Sequence, residues 1–226
     1  MIFKQLFDQK SSTYTYLIAS SNGREALIID PVIENTAKYI NLLKELDLKL
    51  VKVVDTHIHA DHVTGASQLK DITKCTTIMG EHTPAESVEI KVKDDESINI
   101  DDLKIRALYT PGHTSDSYSF LMNNHLFSGD TLLINGTGRT DFQNGNAKDS
   151  YNSIFNKLLK LPEETLLYPA HDYNGQKVST IGKEKKYNPR LQVNSEDEYV
   201  EIMSNLDLKK PAQLEYNISK NINLGS

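Results

Sequence analysis

Tryptophan is absent from the 226 residues, and cysteine occurs once, at Cys75. A lone cysteine excludes an internal disulfide framework and suits a reducing compartment, so secretion is not expected and a cytoplasmic location is the default. Cys75 closes an expected helix with no histidine beside it, and it reads as a small buried hydrophobe rather than a nucleophile. Long apolar runs are missing too. No stretch approaches the roughly 18 residues a membrane span needs, so no segment is expected to enter a bilayer. The opening Met1-Ile2-Phe3-Lys4-Gln5-Leu6-Phe7-Asp8 is broken by charge before a signal-peptide apolar region could form. Dense basic clusters are scarce: apart from Lys183-Glu184-Lys185-Lys186 the cations are scattered, and the net charge is −6. Nucleic acid is therefore not the expected partner.

What is present belongs to a globular enzyme-sized chain, 38% hydrophobic and 25% charged. The length suits a single domain over residues 1–226, with a short polar extension from about residue 174. Strand patterns run over residues 14–19 and 26–29, joined by the turn Ser20-Ser21-Asn22-Gly23, and again over 50–54, 103–109, 117–122, 125–128 and 165–168. Helical spacing covers residues 34–46, 64–74 and 149–161, and Ser195 is placed to cap a short helix over 195–205. Composition and periodicity support α/β or α+β, and two β-rich halves each followed by helices suggest a four-layer αββα sandwich.

The densest chemistry is His57-Ile58-His59-Ala60-Asp61-His62, four candidate ligands directly after an expected strand. Chance composition would place such a cluster roughly 0.0005 times in a chain with 7 His. Imidazoles and a carboxylate packed this closely point to a metal site. Three further candidates stand at strand ends downstream. They are His113 in Thr110-Pro111-Gly112-His113-Thr114, Asp130 in Ser128-Gly129-Asp130-Thr131, and His171 in Tyr168-Pro169-Ala170-His171-Asp172. His82 and His125 lie outside any such context and read as structural or exposed.

In this order the set resembles the metallo-β-lactamase superfamily, over residues from about 14 to 173, and that resemblance implies the αββα metallo-β-lactamase sandwich. Within it, Gly136-Thr137-Gly138-Arg139-Thr140-Asp141-Phe142-Gln143 and Tyr168-Pro169-Ala170-His171-Asp172-Tyr173 look like the persulfide dioxygenase branch, which is glyoxalase II-like. One departure stands beside His113: Asp116 occupies a position where many relatives carry glycine.

The resemblance implies one Fe(II) per chain held by His57, His113 and Asp130, with zinc the alternative metal. It further implies glutathione persulfide and O2 as substrates, with sulfite and glutathione as products. His59, Asp61, His62 and His171 would then orient ligands and handle protons around the metal. In dizinc relatives the same kinds of residue complete a second metal site. Arg139 is the candidate for gripping a glutathione carboxylate, and Tyr173 for presenting a hydroxyl near the iron. The main alternative is a glyoxalase II-like dizinc hydroxyacylglutathione thioester hydrolase, and a third is a non-catalytic metal-binding protein. A homodimer is an oligomeric state left open.

Overall fold

Two strands open the chain, β1 (Ile2–Asp8) and β2 (Thr13–Ala19), and every residue of the second is buried. Successive side chains of a strand point to opposite faces, so a strand buried on both must lie between two layers. Tyr16 and Ile18 join Leu27, Ile29, Phe120 and Phe127 in one apolar cluster, whereas Leu17 and Ala19 join Tyr39, Leu43 and Leu69 in another. The computed structural model describes residues 1–226, and in it β1 and β2 belong to a six-stranded sheet with β3 (Glu25–Ile29), β4 (Lys49–Val54), β5 (Thr76–Gly80) and β6 (Ile90–Val92). The pairing is antiparallel from β1 to β3 and parallel from β3 to β6. Parallel neighbours need crossovers, which α1 (Thr36–Glu45) and α2 (Ala66–Thr73) provide.

The second sheet holds β7 (Ser97–Ile100), β8 (Leu103–Tyr109), β9 (Tyr118–Met122) and β10 (His125–Gly129). A short hairpin of β11 (Leu132–Leu133) and β12 (Gly136–Thr137) and the helix α3 (Ala147–Tyr151) follow, before β13 (Leu166–Pro169) and β14 (Ser179–Thr180) complete the sheet. The inner faces of the two sheets share the cluster around Tyr16 and Phe120. Outside the second sheet lies a third cluster, in which Leu126 and Leu167 meet Ile154, Leu158, Ile181, Tyr199 and Met203. Three clusters separating four layers make an αββα sandwich. The last helices, α4 (Ile181–Tyr187), α5 (Glu196–Ser204) and α6 (Leu214–Asn221), divide between the outer layers. Ile181, Tyr199 and Met203 pack on the second sheet, while Ile218 and Leu224 pack on the first. No helix is long and apolar enough to cross a membrane.

The seven strand patterns read from the sequence are all strands here, and Cys75 is buried. Seven strands were not foreseen: β1, β5, β6, β7 and the two-residue β11, β12 and β14. β1 is a half-buried edge strand interrupted by Lys4 and Gln5, and β6 is too short to display a period. The helix expected over 149–161 begins earlier, as α3, widens into a π-type turn over Asn152–Lys157 and tightens over Leu158–Lys160. Ser195 caps α5 as expected, its Oγ accepting the Glu198 N–H at 3.2 Å.

Packing between the sheets is close enough to forbid a methyl group at Gly80. A Cβ there would lie 2.0 Å from the ring of Tyr118, which is fully buried and donates its backbone N–H to Thr56 O beside the histidine loop. Gly80→Ala is therefore expected to destabilise the fold by about 1–3 kcal/mol through overpacking. Urea denaturation monitored by circular dichroism checks this, and an unchanged midpoint would show that the sandwich can yield at this point.

Candidate metal centre

Strand ends deliver the chemistry. His57 follows β4, His113 follows β8, Asp130 follows β10 and His171 follows β13, and the parallel β10–β13 pair sets the last two side by side. The rings of His57 and His113 are 4.9 Å apart edge to face, and those of His59 and His62 lie 4.4 Å apart. Ligand atoms of His57, His113 and Asp130 all lie within 4.8 Å of one another, as do those of His59, Asp61 and His62. His171 Nε2 stands between the groups, 3.3 Å from Asp61 Oδ2 and 3.6 Å from Asp130 Oδ2. The structure thus brings together the seven imidazole and carboxylate residues singled out in the sequence. His82 and His125 lie elsewhere, stacked on Tyr109 and Tyr168.

Hydrogen bonds fix which nitrogen of each ring is bare. A carbonyl can only accept, so His113 Nδ1 donates to Arg139 O at 2.8 Å and His171 Nδ1 donates to Ser12 O at 3.1 Å. Thr56 Oγ1 donates to Asp30 Oδ2, which leaves it to accept from His57 Nδ1 at 2.9 Å. That leaves Nε2 of His57 and His113 as the nitrogens free to meet a metal. His59 gives Nε2–H to Asp30 Oδ1 at 3.1 Å, and His62 gives Nδ1–H to Asp61 Oδ2 at 2.9 Å. Buried and without any protein partner are His59 Nδ1, His62 Nε2 and Asp130 Oδ1. Orphaned nitrogen and oxygen lone pairs within one cluster are what a bound cation would satisfy, so the residues fit a metal.

The charges follow the same layout. Burial, reinforced by neighbouring imidazoles, holds His57 and His59 well below the usual imidazole range. Burial opposes ionisation of Asp61, but His171 and His62 outweigh it and keep the carboxylate well below its usual range. Burial would likewise lower His171, yet Asp130 and Asp61 push it up to about 10. Beneath the loop, burial and the adjacent Asp30 carboxylate push Asp55 up to about 8.

The loop carrying His57 to His62 is irregular and buried, so its peptide groups need partners that no strand or helix supplies. Side chains from distant segments supply them. Asp116 accepts the Ile58 N–H at 3.0 Å and Gln143 donates to Ile58 O at 2.7 Å. Asn221 donates to His59 O and His62 O, and Asn217 to Ala60 O. Asp116, marked in the sequence as a departure beside His113, therefore ties the His113 loop to the His57 loop. The two asparagines carried no signal of their own in the sequence, since no local spacing relates them to the histidines.

A cavity of about 500 Å³ opens over His113, Asp130 and His171. Gly138 shapes its floor: a Cβ there would meet Asp130 O at 2.0 Å and His113 Nδ1 at 2.9 Å, which accounts for glycine in the Gly136–Gln143 motif. Arg139 and Tyr173 line the same cavity. The Arg139 fork is already committed, however, to Asp141 through Nε and Nη2 and to the carbonyls of Lys209 and Leu208. Tyr173 is 72% exposed, its ring parallel to that of His171 at 6.0 Å. Arg190, which the sequence reading passed over, also faces the cavity, with only Nη1 engaged, on Thr137.

Comparison with known proteins accords with this geometry. The family model of the metallo-beta-lactamase superfamily matches residues 9–92 and 80–171. The human protein described as persulfide dioxygenase ETHE1, mitochondrial, is 41% identical over 228 residues, covering 100% of this chain and 89% of that one. A hydroxyacylglutathione hydrolase of Dictyostelium discoideum is 36% identical over 170 residues, covering 71% of this chain and 62% of that one. Among solved structures, ETHE1 from Myxococcus xanthus superposes with a TM-score of 0.97 at 44% identity, with both chains covered completely. A metallo-beta-lactamase from Staphylococcus aureus reaches a TM-score of 0.88 at 28% identity, covering 98% of this chain and 71% of that one. With its ordered His-rich loop, its αββα layers and relatives matched along its whole length, the chain belongs to the metallo-beta-lactamase superfamily, in the persulfide dioxygenase branch.

Proposed function

We propose that the chain oxidises the sulfane sulfur of glutathione persulfide with dioxygen, using one iron(II) held by His57, His113 and Asp130. The observation that carries the reading is the three-donor set under the cavity: two imidazoles with their other nitrogens pinned, and a carboxylate with one oxygen unpartnered. Two imidazoles and one carboxylate leave positions on iron(II) open, and the bound metal would supply the redox capacity for O2 and a soft site for sulfur. In the overall reaction the persulfide, dioxygen and water give glutathione, sulfite and two protons. The terminal sulfur is oxidised, O2 is reduced, and the S–S bond breaks with its electron pair kept by the glutathione sulfur.

The protein's own residues have separate tasks in this scheme. His171, fixed by Ser12 O and aimed between Asp61 and Asp130, holds and relays a proton at Nε2. Asp61, accepting from His62 and facing His171, takes up the charge of that relay. His59 and His62 keep the loop oriented through Asp30 and Asp61. Tyr173 stands over His171 at the mouth and screens it from solvent. Arg190, with its Nε and Nη2 uncommitted, is the better anchor for a glutathione carboxylate, while Arg139 holds the wall at residues 208–209. The cytoplasm is the proposed location, in keeping with a single, buried cysteine.

A dizinc hydroxyacylglutathione hydrolase is the second reading, favoured by the close-set donors of His59, Asp61 and His62. Against it, Asp61 Oδ2 is already engaged by Thr13, His62 and His171. Elemental analysis of protein from iron-supplied cells separates the two. About one iron per chain is expected, with oxygen consumption matched by sulfite formation. Two zinc ions per active chain, with iron unable to restore the stripped protein, would establish the hydrolase instead.

Variants divide the site further. His113→Ala and Asp130→Ala are expected to abolish iron binding, whereas His171→Ala lowers turnover and leaves most of the iron in place. Equal loss of iron in all three would put His171 among the ligands. Arg190→Lys keeps the charge but loses the planar fork, so KM for glutathione persulfide is expected to rise about ten-fold with a smaller fall in kcat. A KM that does not move would remove Arg190 from the substrate contacts.

A further inference from the structure

We propose that Asn221 is a positioning residue for the metal centre, its one amide bridging three peptide groups of the loop that carries His57, His59, Asp61 and His62. Nδ2 donates to His59 O and to His62 O, both at 2.8 Å, and Oδ1 accepts the Thr64 N–H at 2.9 Å. The side chain is 2% exposed, so none of these bonds competes with water. One turn earlier on α6, Asn217 adds a bond to Ala60 O at 2.9 Å. The helix itself is anchored: Leu224 is buried in the core, and its carbonyl accepts the Ser67 N–H at 3.0 Å.

The chemistry selects asparagine. Two donors must meet two carbonyls on either side of Asp61 while one acceptor meets an N–H, all from a planar group too short to reorient. Aspartate has the same shape but turns an oxygen toward both carbonyls, and alanine leaves all three peptide groups unpaired. The peptides so held are those of His59 and His62, whose rings in turn engage Asp30 and Asp61. The helix therefore sets the aim of the metal-facing rings from behind, whichever metal and sulfur substrate the site takes.

The test uses the full-length protein carrying the metal found in the purified wild type, and follows release of that metal to a chelator together with Tm in the loaded and stripped forms. Asn221→Asp is expected to speed release about ten-fold or more, as for other groups that orient ligands from outside the metal's own shell. The difference in Tm between loaded and stripped protein should narrow, because weaker metal binding adds less stability to the folded state. Ser219→Ala, exposed on the same helix, should leave both unchanged. If Asn221→Asp does not fold, Asn217→Ala, which removes a single bond to the loop, should give the same pattern with a smaller amplitude. Folded variants that release metal at the wild-type rate, or whose loaded and stripped forms lose Tm equally, would show that α6 only supports the fold. Neither readout involves persulfide, so a failure of the dioxygenase reading would leave this outcome intact.

Discussion

A neutral imidazole has one N–H and one lone pair, so a histidine can offer a nitrogen to a metal only if the proton on its other nitrogen is held elsewhere. Most of the centre exists to hold those protons. Arg139 O takes that of His113 and Asp30 that of His59, while Thr56, itself bonded to Asp30, orients His57. The demand explains residues that never face the cavity. Asp30 sits fully buried in a left-handed conformation, with φ of 51°, because its carboxylate must reach back over the end of β4 to Thr56 and His59. A carboxylate in such a place is stable only because each of its oxygens accepts hydrogen bonds from the loop it supports.

Where the sequence is locally periodic it was legible, and where a role depends on a distant partner it was not. The His57–His62 run, the Gly112-His113-Thr114 turn and the strand patterns around them all carry their signal within a few residues, and the αββα layering is what the family resemblance of those motifs implied. Arg139 shows the limit. Its neighbours Gly138 and Asp141 make it look like a residue free to bind substrate, yet Asp141 and the carbonyls of Leu208 and Lys209 already occupy its fork. Arg190 and Asn221 lie in polar, strand-poor sequence, and only folding places the one on the cavity and the other behind the histidines. The polar last quarter that read as an extension contributes to both outer layers for the same reason: its apolar residues are few, and the clusters they complete are built by the two sheets.

Arg139 also joins two parts of the site that the sequence keeps far apart. Its carbonyl fixes the ring of His113, while its guanidinium holds the wall formed by residues 208–209, and its cation lies 4.4 Å from the centre of the Phe142 ring. A single residue thereby links that wall to a metal-facing imidazole. The link needs no moving domain, only one residue with its backbone and its charge committed to different neighbours.

The bonds from Asn221 to the histidine loop span up to 162 residues of chain. On a translating ribosome the loop emerges long before its brace, so for most of the synthesis of this polypeptide the peptide groups around His59 and His62 must rely on water. A nascent chain in that state can display imidazoles to the cell's metal pool without yet being able to aim them. The helix that braces those peptide groups is thus made well after the loop that carries the histidines.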